Sequence, residues 1–168
     1  MRTLVITVVN TVFWTALHFG VAVGLVCLPE GFQRRWLDFR RPRFQVGEGE
    51  MAFYRRIGLP RWKDRLPQWN WDFDKRHLAR RLSRAYLEEF LFVTCRAEVI
   101  HELIFLLGWL SCFFCLLCDN PAANLPLFVV IALVICTANL PFSMIQRYNR
   151  YRLKALLERL PENRELLH

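Results

Sequence analysis

The chain has 168 residues and a formal net charge of +8, with 54% hydrophobic and 23% charged residues. The apolar residues are concentrated in three blocks, with the charges between and after them, which is typical of an integral membrane protein and not of a soluble core. No nucleic-acid motif accompanies the basic residues, and basic residues beside apolar spans report membrane orientation, so we expect no nucleic-acid partner.

The six cysteines do not form the pattern of a secreted disulfide framework. Cys112, Cys115 and Cys118 recur at every third position inside an apolar helix. A metal site would need histidines or further thiolates that converge on them from loops. We therefore interpret these cysteines as small apolar residues at a helix interface, and we expect neither a metal site nor a bound cofactor.

The first apolar stretch, residues 3–28, predicts a retained transmembrane helix. A signal peptide is the alternative, but Arg2 alone would be its basic region and the apolar part is too long for one. A lipoprotein anchor at Cys27 is disfavoured because Val26 occupies the position where a small residue is expected.

Residues 29–97 form a polar segment that carries 16 of the 23 basic residues, interleaved with aromatic residues. Arginines and aromatics together favour a segment at the cytoplasmic membrane interface. Apolar residues at four-residue spacing predict an amphipathic helix over 77–95. Residues 61–67, which include Trp62 and Lys63, form a compact polar and aromatic motif.

Two further apolar spans follow, over 99–118 and 122–145, joined by a tight turn and with a kink expected near Pro141. A polar tail occupies 146–168. The fold class is therefore an all-α integral membrane protein with about three transmembrane helices in one domain. Because the segment after the first helix and the tail are the basic parts, the positive-inside rule predicts an outside N-terminus and a cytoplasmic C-terminus.

A cluster of ionisable residues lies at the start of the second span. Glu98, His101 and Glu102 share one face of a helix because they are three or four residues apart. Ionisable groups near membrane depth usually have a function. The short turn between the second and third helices brings their cytoplasmic ends together, so we expect this cluster to face Arg147 and Arg150. Simple charge neutralisation, or anchoring of the span by the arginines, is the structural alternative.

Three patches of sequence carry a family resemblance. Residues 96–101 (Arg-Ala-Glu-Val-Ile-His), 138–141 (Ala-Asn-Leu-Pro) and 146–153 (Gln-Arg-Tyr-Asn-Arg-Tyr-Arg-Leu), together with the pair at 62–63, resemble the glycosyl-4,4′-diaponeurosporenoate acyltransferase family. These are small bacterial membrane enzymes of staphylococcal-type carotenoid synthesis. The chain departs from the family pattern at Tyr151, where proline is expected, and in its more arginine-rich middle segment.

The resemblance implies transfer of a fatty acyl group from an activated thioester, acyl-CoA or an acyl carrier protein, to a hydroxyl of a glycosylated carotenoid or another glycolipid. It also implies a place in the bacterial cytoplasmic membrane, with the bilayer, the acyl donor and the lipid acceptor as partners. His101 is the expected general base, with Glu98 one turn earlier to hold its tautomer. The expected substrate-binding residues are Gln146, Arg147, Asn149, Arg150, Trp62, Lys63 and Asn139.

Within this interpretation, Asn149, Gln146 or Arg147 would stabilise the oxyanion, and Arg147, Arg150 and Lys63 would bind the donor's phosphates or acidic surface. Direct transfer is preferred over an acyl-enzyme because no serine or cysteine is well placed beside His101.

Two other functions are alternatives to acyl transfer. A non-catalytic lipid-binding or scaffold protein of a biosynthetic complex explains the arginines, but not a glutamate and a histidine on one helix face. A membrane methyltransferase would need a nucleotide-cofactor pocket, and the sequence has no glycine-rich loop for one.

Overall fold

The computed structural model describes residues 2–66 and 83–160, and all regular secondary structure in this part of the chain is helical. Three stretches are long and apolar enough to cross a membrane: Arg2–Val26, Arg84–Leu117 and Pro121–Arg159. The predicted all-α class with about three helices of spanning length is therefore confirmed. The α-helices are α1 (Arg2–Val26), α2 (Glu30–Trp36), α3 (Glu48–Arg56), α4 (Leu59–Trp62), α5 (Arg84–Leu107), α6 (Pro121–Thr137) and α7 (Leu140–Arg159).

The second stretch differs from the sequence prediction at its start and in its geometry. Helix α5 begins at Arg84, and it continues after Leu107 as a 3₁₀ helix, Gly108–Leu117. The predicted boundary at residue 99 marks a change in polarity, whereas the residues before it are good helix formers and extend the same helix. Of the amphipathic helix predicted over 77–95, residues 77–82 lie outside the described residues, and the remainder belongs to α5 from Arg84 onward.

The third stretch is interrupted close to the predicted kink. Helix α6 ends at Thr137 and α7 begins at Leu140. Pro141 lies in the first turn of α7, where backbone N–H groups have no acceptor within the helix, so its missing N–H costs nothing there. It cannot continue α6, because its ring would clash with the preceding turn. Asn139, which had been expected to bind substrate, therefore lies between the two helices and belongs to neither.

The described chain divides into two compact units. Unit 1 comprises residues 1–29 and 99–143. Its core is built from Trp14, Ala132 and Cys136. Gly108 allows the close packing there, because a Cβ at this position would lie 2.6 Å from both the Trp14 ring and the Cys136 sulfur. Most other apolar side chains of α1, α6 and the 3₁₀ helix are exposed, as expected for surfaces that face lipid.

Unit 2 comprises residues 30–98 and 144–168. Its core joins α3, α4 and α7 through Met51, Tyr54, Leu59, Ile145 and Tyr148. Short helices of this kind are stable only when their apolar side chains are buried against a neighbour. The packing of α3 and α4 against α7 therefore gives structure to a part of the chain that contains no long apolar run.

Candidate functional site

The polar centre of unit 2 is Glu98, whose side chain is fully buried. One of its oxygens accepts a hydrogen bond of 2.8 Å from Arg147 Nη1, and the other accepts from Arg150 Nη2. The two arginines are three residues apart on α7 and so present their guanidinium groups on the same face. The predicted proximity of Glu98 to both arginines is present in the structure.

Arg150 is enclosed by protein on all sides, with only 2% of its surface exposed. Its Nε donates to the Phe44 carbonyl at 2.8 Å, and its Nη1 lies 3.6 Å from the Cys95 sulfur. The guanidinium carbon lies 5.1 Å from the centre of the Phe44 ring. All three guanidinium nitrogens, including the one bound to Glu98, therefore have partners inside unit 2.

Arg147 is held by a second carboxylate, which sequence reasoning missed. Glu50 of α3 takes two hydrogen bonds from this guanidinium, one of them 2.8 Å long, and a third from the Tyr54 hydroxyl. Burial alone would raise the pKa of Glu50, but the bonds from Arg147 and Tyr54 hold it below its ordinary value. Burial and the same contact with Glu50 raise the pKa of Tyr54.

Glu50 could not be found from the sequence because it is 97 residues from Arg147 and belongs to none of the patches that carried the resemblance. Together, Glu50, Glu98, Arg147 and Arg150 form a cluster of two negative and two positive charges, which we call the charge cluster. Opposite charges in equal number reduce the cost of burying each of them.

The histidine of the predicted site belongs to unit 1. His101 Nδ1 lies 3.0 Å from Asn139 Oδ1, and the Asn139 Nδ2 donates to the Ile135 carbonyl at 3.0 Å. The imidazole also stacks on the Phe142 ring, with centroids 5.0 Å apart and an angle of 16°. Because the amide nitrogen is used by Ile135, the atom that faces the histidine is an acceptor. This arrangement favours the tautomer with the proton on Nδ1, in which Nε2 is the basic nitrogen.

The break between α6 and α7 creates this contact. Asn139 follows the end of α6, and its side chain turns back to cap the carbonyl of Ile135. Both Glu98 oxygens are bonded to arginines, and the Nδ1 atom of His101 has Asn139 as a partner. None of these contacts joins Glu98 to His101, so the role of Glu98 in holding the His101 tautomer stays a prediction.

The other expected substrate-binding residues belong to unit 2. Gln146 is buried, and the oxygen of its side chain has no hydrogen-bond partner among the described residues. Asn149 is half-buried. Trp62 packs against the core and donates its Nε1–H to the Ile57 carbonyl, while Lys63 pairs with Asp64 at 2.5 Å. These contacts give Trp62 a structural role, and its expected role in substrate binding stays a prediction.

Within residues 2–66 and 83–160, no group of three or more histidine, cysteine or acidic side chains is arranged to hold a metal ion. Cys95, Cys115 and Cys136 are buried free thiols.

Residues 33–159 match the family model described as glycosyl-4,4′-diaponeurosporenoate acyltransferase. The matched range includes the charge cluster, His101 and Asn139. No curated protein and no solved structure matches the chain.

Proposed function

Since the chain belongs to the glycosyl-4,4′-diaponeurosporenoate acyltransferase family, we propose that it is a membrane enzyme that transfers a fatty acyl group from a thioester donor to a lipid hydroxyl. The acceptor is a glycosylated carotenoid or another glycolipid, and the donor is acyl-CoA or an acyl carrier protein. The observation that carries the chemical part of this proposal is the orientation of His101 by Asn139 and Phe142.

The reaction needs a base that removes the acceptor's proton as its oxygen attacks the thioester carbonyl. In our proposal His101 Nε2 takes that proton, the new C–O bond forms, and the C–S bond breaks. The proton then passes from the imidazolium to the departing thiolate, so that a thiol and an ester are the products. Asn139 Oδ1 accepts a hydrogen bond from Nδ1–H and stabilises the imidazolium between these steps.

We propose that the charge cluster has a structural role in this enzyme and does not bind substrate. Arg147 and Arg150 already donate to Glu50, Glu98 and backbone carbonyls, and Arg150 is almost fully buried. A substrate phosphate would have to displace these partners at a high desolvation cost. Binding of the donor by these two arginines is therefore disfavoured, while substrate binding by Lys63, Gln146 and Asn149 stays a prediction.

The membrane setting is supported by the three stretches of spanning length and by their exposed apolar side chains. A soluble thioester donor and a lipid acceptor can meet only at the membrane surface. The arginine distribution of the sequence favours the cytoplasmic side for this meeting and an outside N-terminus.

The test is acyl transfer in membranes from cells that express His101→Ala, with a labelled thioester donor and a glycosylated carotenoid acceptor. Loss of a positioned general base lowers kcat/KM by about 10²–10⁴-fold. His18→Ala is the matched control, because His18 also lies in unit 1 but its Nδ1 contacts the carbonyl of Trp14 in its own helix. The control is expected to keep the parent rate.

Asn139 supplies a second, more selective variant. Asn139→Asp keeps an acceptor for Nδ1–H and is expected to retain more activity than Asn139→Leu, which removes it. Parent-like transfer by His101→Ala at normal expression would disprove the assignment of the base. Failure of the parent protein to transfer any acyl group to these acceptors would instead favour the non-catalytic lipid-binding or scaffold protein.

A further inference from the structure

Residues 52–65 form a surface segment of unit 2, which we call the basic platform. It contains the end of α3, all of α4 and the 3₁₀ turn Lys63–Arg65. Leu59 is fully buried in the unit 2 core, and the Trp62 indole ties the two helices together through the Ile57 carbonyl. Gly58 makes the tight turn between the helices with a φ of 70°, a conformation that a glycine adopts without strain. These contacts attach the platform to the core of unit 2, and its other side forms the outer face.

That outer face is strongly positive. Arg55, Arg56, Arg61 and Arg65 are all exposed. The platform contains one acidic residue, Asp64, and it pairs with Lys63. Among the described residues, only Glu48 lies within ion-pair distance of any of the four arginines, 3.8 Å from Arg55. This contrasts with Arg147 and Arg150, whose charges are balanced inside the protein, and it leaves the platform with an unbalanced positive charge.

Two large apolar side chains of the platform are exposed as well. Phe53 is 49% exposed and Ile57 is 37% exposed. They are one helical turn apart, and Arg56 lies on the same side because it is three residues after Phe53. Exposed apolar side chains among cations are costly in water, but they suit an anionic membrane surface, where the cations meet headgroups and the apolar groups enter the layer below.

We propose that the basic platform binds anionic lipid headgroups, with Phe53 and Ile57 inserted between the lipids. An acidic protein would complement the charge but would not require this pair of exposed apolar groups. Chain connectivity favours the lipid as well, because unit 2 is joined by peptide bonds to all three stretches of membrane-spanning length. The inference rests on the membrane setting of the proposed function but not on acyl transfer.

The experiment measures amide hydrogen exchange of residues 48–66 in the full-length protein in lipid nanodiscs. Nanodiscs of phosphatidylcholine alone are compared with an equal mixture of phosphatidylcholine and phosphatidylglycerol. The parent is expected to exchange more slowly in the anionic nanodiscs, and salt is expected to reduce the difference by screening. For the double variant R56Q/R61Q, we expect the equilibrium constant for docking on anionic lipid to fall by about 30-fold. Each arginine near the membrane surface contributes about fivefold to this constant.

Two variants make the result specific. R35Q/R159Q removes the same charge from exposed positions outside the platform, and it is expected to keep the protection of residues 48–66. Phe53→Ser keeps all charges and is expected to reduce protection in anionic nanodiscs without changing the effect of salt.

Equal exchange in the two kinds of nanodisc would overturn the inference. So would protection that appears only after an acidic acyl carrier protein is added, since that identifies a protein partner. If the parent does not enter nanodiscs at all, the membrane setting of the proposed function fails as well, so the two failures are distinguishable. Parent-like exchange of residues 48–66 in the phosphatidylcholine nanodiscs, where no docking is expected, shows that the platform of each variant remains folded.

Discussion

Glu98 is the residue whose replacement tests the charge cluster most directly. In Glu98→Leu, Arg150 remains buried and loses the carboxylate that it binds, whereas Arg147 keeps Glu50. The cluster then contains two positive charges and one negative charge. Removal of one partner from a buried ion pair costs about 3–5 kcal/mol, because the remaining charge is neither solvated nor neutralised. For a chain of this size, such a loss lowers Tm by roughly 6–20 °C.

The double variant E98L/R150L separates charge imbalance from loss of packing. It leaves the balanced pair of Arg147 and Glu50, at the cost of an unpaired carbonyl at Phe44, which is worth about 1 kcal/mol. Buried ion pairs replaced by apolar side chains are often neutral in stability. The double variant is therefore expected to recover about 2 kcal/mol or more of the stability that Glu98→Leu loses.

The assay is thermal unfolding in detergent, followed by circular dichroism and by the exposure of buried cysteines to a thiol reagent. Glu89→Leu is the matched control on α5, because Glu89 forms a half-exposed pair with Arg34 at 3.0 Å. Loss of that pair costs no more than about 1 kcal/mol. A lower Tm for E98L/R150L than for Glu98→Leu would show that charge imbalance does not determine the stability of the charge cluster.

Two further predictions concern close packing and acidity. Gly108→Ala is expected to lose about 1–3 kcal/mol by overpacking against Trp14, whereas Gly20→Ala, with open space at its Cβ, is not; equal Tm values for these two variants would contradict the packing. In the folded state the pKa of Glu50 lies below its ordinary value of 4.5. The ion pair of Glu50 with Arg147 therefore stabilises the protein fully above pH 4.5, and this stabilisation is lost as the pH falls through the lowered pKa of the folded state. The free energy of unfolding, measured across this acidic range, should therefore fall less with decreasing pH in Glu50→Gln than in the parent. An identical pH dependence in the two proteins would count against the ion pair.

Some of the site was accessible from the sequence because its members are close along one helix. Glu98 and His101 are three residues apart on α5, and Arg147 and Arg150 are three apart on α7. Helical spacing and the short connection at residues 118–120 were enough to predict that Glu98 would meet the arginines. The partner of each remaining group is set by contacts between distant segments, which a single sequence does not encode as a pattern. Glu50 and the Phe44 carbonyl are examples, since neither shares a periodicity with the arginines that they bind.

The sequence by itself determined the helical class, the three apolar stretches of spanning length and the family, because hydrophobicity, helical spacing and the motif patches are local properties. The tertiary structure decided which groups are available for chemistry. In the structure Arg147 and Arg150 bind the carboxylates of Glu50 and Glu98, although these arginines had been expected to bind substrate, whereas the arginines of the basic platform lie on the surface. It also gives His101 the amide of Asn139, because the helix break at Pro141 turns that side chain back toward Ile135. The physical reason is that burial and hydrogen bonding depend on which distant segments pack together.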